Sequence, residues 1–212
     1  FNNVAAVLDA QGNLTAALEQ YQLALDIHLR KAADSLELAT SYVMIGNVCK
    51  NQGKLTEALE QYLLALDIQK RDIPDSLEIA TSYHNIGLVY NSQGKLTDAL
   101  EQYYIALDIR KKMGPDSLEV ATSYNNIAAV FASQGNLTES LEQYQLALDI
   151  QQRKAPDSLE LATSYSTIGL VYNNLGMLED ALEQYLLALD IQKRTAPDSL
   201  ELAASYICIG VV

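Results

Sequence analysis

Basic side chains are scarce in this chain. Its 14 Lys and Arg stand against 27 Asp and Glu, giving a formal net charge of -13 and a pI near 4.4. Nucleic-acid binding rests on clustered Lys and Arg that neutralise phosphates, so nucleic acid is excluded as the expected partner. The acid excess serves solubility or recognition of a basic partner. Long apolar runs are missing too: nothing approaches the roughly 20 residues a helix needs to cross a bilayer, which excludes membrane insertion. The two cysteines, Cys49 and Cys208, lie far apart at apolar helical positions, so neither a disulfide within the chain nor a shared metal site is expected. Buried free thiols suit a reducing compartment and point to the cytoplasm. There are two histidines, His28 and His84, with no HExxH, CxxC or glycine-rich phosphate loop beside them. Catalysis, a metal and a cofactor are all unexpected. His84 reads as a contact residue instead of a general base, because no carboxylate or nucleophile recurs next to it.

What the chain has is repetition. Gly12, Gly53, Gly94, Gly135 and Gly176 recur every 41 residues, and an Asp-Ser-Leu-Glu opening at Asp34, Asp75, Asp116, Asp157 and Asp198 keeps the same step. Fixed periods of this size indicate a solenoid whose units bury their apolar faces on their neighbours. The step divides the chain into a partial unit over 1–33, full units over 34–74, 75–115, 116–156 and 157–197, and a partial unit over 198–212. The chain starts at Phe1 without a Met and stops at Val212 within a repeat, so it reads as a piece of a longer protein.

Within one unit, Asp116 or Ser117 serves as an N-cap, with Glu119 placed for a capping box. Leu118, Ala121, Tyr124, Ile127, Ala128 and Phe131 then form one apolar stripe at three- and four-residue spacing, until Gln134-Gly135 ends helix A. Thr138 opens helix B, in which Leu141, Tyr144, Ala147, Leu148 and Ile150 share a face; Gln152-Arg153-Lys154 bring positive charge to its end before Pro156. Ser140 replaces the alanine found at Ala17, Ala58, Ala99 and Ala181. Its hydroxyl weakens the helix crossing unless it bonds back to a carbonyl one turn earlier. No stretch carries a strand pattern.

The run Tyr83, Ile86, Gly87, Tyr90, Gly94, Ala99, Tyr103 and Ala106 resembles the signature of the tetratricopeptide repeat, with Tyr at the usual Trp position. The same residues return around Tyr42, Tyr124 and Tyr165. Departures are Ser140, Cys49 at a helix A aromatic position, and the lack of the helix-ending proline where helix B runs on through Arg110-Lys111-Lys112. Units of 41 residues with a Pro-Asp-Ser linker look most like the long-repeat branch typified by kinesin light chain. The resemblance implies an all-α solenoid of antiparallel helix pairs wound into a right-handed superhelix, and a scaffold that binds a protein or peptide along a concave groove lined by the A helices.

Mapping by the glycine register places Asn3, Asn47, His84, Asn85, Leu88, Asn91, Asn125, Asn126, Thr167 and Asn173 on that groove. Asn3, Asn85 and Asn126 occupy one equivalent position. An amide there both donates to and accepts from the backbone of an extended peptide, or else it bonds the neighbouring helix or water. The groove holds only Lys50 as a cation, which disfavours a clamp for terminal carboxylates. On the opposite side of helix B, Leu23, Leu64, Ile105, Leu146 and Leu187 form a convex ridge, unless curvature buries it. Asn13 and Asn136 begin Asn-Leu-Thr glycosylation patterns in the turns between helices, which a cytoplasmic protein would leave unmodified. Three functions follow: an interaction scaffold, a structural element that self-assembles through the ridge or its ends, or a regulatory domain of a larger enzyme.

Overall fold

A computed structural model describes residues 2–31, 36–74 and 76–211. Phe1, Asp34, Asp75 and Val212, used above to mark unit openings and ends, lie outside the described residues. The described residues are α-helical with no strand, and the chain divides into two compact units, Phe1–Met113 and Gly114–Val212. The first holds α1 (Asn2–Ala10), α2 (Leu14–Lys31), α3 (Leu36–Asn51), α4 (Leu55–Asp72), α5 (Leu77–Ser92) and α6 (Leu96–Met113). The second holds α7 (Leu118–Ser133), α8 (Leu137–Lys154), α9 (Leu159–Asn174), α10 (Leu178–Thr195) and α11 (Leu200–Val211). In each unit every helix packs on the one before it, which is the α-solenoid plan. No helix among the described residues is long and apolar enough to cross a membrane.

The five recurring glycines make the hairpins. Each has φ between +73° and +80°, the left-handed region that a Cβ disfavours. At the end of α5 the Gly94 N–H donates to the Asn91 carbonyl at 2.9 Å and the Lys95 N–H to the Tyr90 carbonyl at 2.9 Å. These two bonds form a Schellman motif that satisfies the last carbonyls of the helix. Lys95 then lays its ammonium over the Tyr90 ring, 5.5 Å from the centroid.

The A helices start on serine. Ser76, Ser117 and Ser158 accept from the N–H groups of Ile79, Val120 and Leu161 at 3.3, 3.4 and 3.1 Å. Because Ser117 is the cap, Glu119 falls one position short of the capping-box site, and the expected box is replaced by the serine bond alone. Asp116 instead binds Arg153 and Lys154, each at 2.8 Å, and Arg153 also binds Asp149, so the open end of the α7–α8 hairpin is tied by ions. These bonds, Arg153 first, hold the Asp116 carboxyl below its usual range. Helix B begins at Leu137, one residue before the expected Thr138, on Asn136 without a side-chain cap bond.

One other expectation is corrected. Leu118 is exposed, not part of the buried stripe, as are Leu77 and Leu159 at the same first-turn position; the buried face of α7 begins at Val120. Arg110, in the last turn of α6, is only 6% exposed.

Tyrosine fills the space inside each hairpin. Tyr62, Tyr103 and Tyr185 press on Gly46, Gly87 and Gly169 so closely that a Cβ there would meet the ring carbons at 2.6 to 2.9 Å. In the third hairpin of this kind the glycine is Ala128, and the facing Tyr144 stands 5% exposed where Tyr62 is fully buried. The Ser140 hydroxyl donates to the Ala128 carbonyl at 2.9 Å, so its bond runs across the hairpin to α7 and not back along its own helix.

Candidate binding surface on the A helices

Neighbouring hairpins meet along a seam where the end of one helix B touches the next helix A. A serine recurs on the A side at Ser41, Ser82, Ser164 and Ser205, all buried. The B side carries His28 at one seam and glutamine at the others, Gln69, Gln151 and Gln192. His28 Nδ1 lies 2.9 Å from Ser41 Oγ, and the Ser82 hydroxyl donates to Gln69 Oε1 at 2.7 Å. Beside these bonds, Lys70 covers the Tyr83 ring at 5.1 Å, Lys193 covers Tyr206 at 5.4 Å, and Gln152 donates to the Tyr165 hydroxyl at 2.7 Å. These polar seam residues were absent from the groove expected from sequence. Their signal was present, as a polar residue every 41 positions on a helix whose neighbours are apolar.

In the first unit the expected groove residues fall into different environments. Asn3 is exposed. Asn47 accepts from the Tyr62 hydroxyl at 2.7 Å, which ties it to the core. Asn85 is only 8% exposed, so it does not present an open amide. Leu88 and Asn91 are half-buried. His84 is half-buried with its ring centroid 5.8 Å from that of Tyr103. Burial, then the charges of Arg110 and Lys50, push its imidazole down to about 4, so it is neutral near pH 7. Burial likewise lowers the Lys50 ammonium below its usual value. A cleft of about 270 Å³ opens near Thr40, Val43, Gln69 and Ser82.

The second unit brings Asn125 and Asn126 together in a larger cleft of about 490 Å³, shared with Thr122, Gln151, Glu160 and Ser164. The Asn125 amide nitrogen donates to Ser164 Oγ at 3.4 Å. Its oxygen is buried without a partner, as is that of Gln151. Thr167 donates back to its own helix at Thr163 and lines the next cleft, about 300 Å³, with Ser166, Leu170, Gln192 and Cys208. Asn173 stays half-buried near the hairpin turn, where its backbone carbonyl accepts from Gly176.

On helix B, Leu23, Leu64, Leu146 and Leu187 are 40 to 47% exposed, while Ile105 is half-buried and departs from that row. Leu63, Tyr104 and Leu186 beside them are also exposed. Asn13 and Asn136 are exposed at the hairpin turns. Cys49 is buried and Cys208 half-buried, both as free thiols, and burial raises the Cys49 thiol above its usual value.

Comparison with known proteins agrees with this geometry. No curated protein matches the chain by sequence. Among solved structures, BtubC (BKLC) from P. vanneervenii is similar with a TM-score of 0.82 and 21% identity, over 93% of this chain and 82% of that one. A kinesin light chain-like protein of Podosopora anserina with nearly identical TPR-like repeats gives 0.77 and 18% over 92% and 94%. The apo form of RapI gives 0.81 and 18% over 95% of this chain and 55% of that one. At these identities the likeness is one of fold. The family model described as tetratricopeptide repeat matches residues 1–71, 78–153 and 119–194. With its glycine-turned hairpins, tyrosine-filled crossings and serine seams, the chain belongs to the tetratricopeptide-repeat family.

Proposed function

We propose that this chain is a non-catalytic, cytoplasmic scaffold that holds an extended peptide along the A-helix faces. The family is in general a scaffold fold that binds protein partners, and the observation that carries the reading here is the cleft at Asn125 and Asn126. That cleft is lined by polar side chains, among them Thr122, Asn126 and Glu160, of the kind that pair with a peptide backbone whatever its side chains. The excess of acid over base disfavours nucleic acid as the partner. Peptides selected from a display library should lose binding to the Asn125→Ala, Asn126→Ala double variant while circular dichroism stays unchanged. Selection of peptides whose binding ignores both changes would remove this surface from the function.

A second reading has its own observation. Leu63 with Leu64 and Leu186 with Leu187 are exposed side by side on helices B. Such pairs fit lateral self-assembly. Light scattering across concentration should then show growth that Leu64→Glu and Leu187→Glu abolish; a monomer at all concentrations would end this reading.

A further inference from the structure

The clefts on the A helices repeat with the helices. In the second unit one lies between α7 and α9 and the next between α9 and α11, and Thr163 lines both. In the first unit the cleft between α3 and α5 has the same register, with Thr40 and Thr81 where the second unit has Thr122 and Thr163. Neighbouring A helices touch, as Asn125 and Ser164 do at 3.4 Å. Packed helices stand about 8–10 Å apart, so one cleft follows the next after about that step. An extended strand returns a side chain to the same face after about 6.7 Å, which misses the step. A polyproline II peptide returns one at every third residue, after about 9.3 Å, which meets it.

The cleft edges suit such a backbone. Polyproline II makes no internal hydrogen bonds and leaves its peptide groups for a partner. Thr40, Thr81, Thr122 and Thr163 are exposed, and each hydroxyl donates back to its own helix, so its oxygen keeps a lone pair for a peptide N–H. That supplies one acceptor per A helix. Charge then selects the side chain. Among the described residues lining the three clefts there is no Lys or Arg, and the charged ones are Glu78 and Glu160. Both are exposed, and neither makes an ion pair among the described residues. Leu77 and Leu118, exposed on the same walls, offer apolar cover for the stem of a long side chain. An acidic side chain would meet only like charge. Resting on the peptide-scaffold reading above, we propose that these clefts take a polyproline II peptide with a Lys or Arg at every third residue, one basic side chain to each cleft.

The test uses the whole chain and synthetic peptides. A peptide of three Lys-Pro-Pro triplets should bind saturably and shift the methyl resonances of Thr122 and Thr163. A peptide of the same composition with its lysines together at one end should bind at least fivefold more weakly, and three Glu-Pro-Pro triplets should not bind. Glu78→Gln with Glu160→Gln should weaken the Lys-Pro-Pro peptide at least threefold while circular dichroism stays unchanged. Glu57→Gln with Glu139→Gln removes the same charge from exposed places on helices B and should leave binding as it was.

Equal binding of the two lysine arrangements would reduce the attraction to net charge and overturn the proposal, as would equal losses in the two pairs of glutamine variants. Absence of saturable binding would overturn it too. A helical alanine-rich peptide with lysines seven residues apart also spans about 10 Å. If it binds more tightly than the triplet peptide, the polyproline II ligand is overturned. Display-selected peptides that depend on Asn126 but lack a basic residue at every third position would overturn the proposal while leaving the scaffold reading in place.

Discussion

Tyr62 and Tyr103 occupy the same register in successive hairpins of the first unit, yet their hydroxyls meet different fates. Tyr62 donates to Asn47 at 2.7 Å. At the register of Asn47 the next repeat has Leu88, and the buried Tyr103 hydroxyl has no partner. Burial raises both phenols above their usual value. Removing the Tyr103 oxygen should recover a share of the roughly 1–3 kcal/mol that an unmade buried hydrogen bond costs. The oxygen-sized void returns about 0.3 kcal/mol of that gain. Tyr103→Phe should therefore stabilise by about 1 kcal/mol, and Tyr62→Phe, which breaks a made bond, should destabilise by about the same. For a chain of this length that is a rise and a fall of about 2–4 °C in melting temperature. Hydrogen exchange should place the changes in α5–α6 and α3–α4 respectively, since repeat units contact only their neighbours. If Tyr103→Phe destabilises as much as Tyr62→Phe does, the Tyr103 hydroxyl has a partner and the reasoning fails.

Other expectations follow from the same contacts. Gly87→Ala gains about 1 kcal/mol of helix propensity, but its Cβ would lie 2.6 Å from the Tyr103 ring. Overpacking of about 1–3 kcal/mol should win and lower the melting point; a rise would show that the ring yields freely. Ser140→Ala trades a cross-hairpin bond of about 1 kcal/mol for about 0.5 kcal/mol of propensity, so denaturant midpoints should fall slightly, not rise. His84 is pushed down to about 4 by burial, Arg110 and Lys50, below its ordinary 6.5 in the unfolded chain. Its contribution is thus complete above about pH 6.5 and is lost as pH falls toward 4. The loss is on the order of 3 kcal/mol before solvent screening. Urea unfolding between pH 7.5 and 4 should show a slope that His84→Gln flattens; an equal slope in that variant would refute the assignment.

The helices and their turns were legible because both are written locally. A 41-residue step, glycine at each hairpin and serine at the starts of α5, α7 and α9 specify φ, caps and apolar stripe without reference to distant residues. The exposed Leu118 escaped that reading because a first-turn residue points away from the core even when its spacing fits the stripe. Asn85 and Asn47 shared a register with candidate ligands, but their surroundings depend on which side chain stands opposite. Gln151 and Arg110 were hidden for a related reason. Polar residues near a helix end look solvated until the next hairpin is laid over them.

The constant side of the seam also bears on how such a chain could misfold. Five near-copies of one hairpin could stack out of order, and stackings that skip a repeat would bury nearly the same apolar surface. Serine followed by tyrosine stands on the A side at Ser41, Ser82, Ser164 and Ser205, whatever the B side brings to it. A skipped stacking therefore meets the same hydroxyls as the native one, and the polar seam does not penalise it. Order falls to the connections between hairpins, such as the one from Asp72 to Leu77, which are short enough to hand each A helix to the B helix just before it.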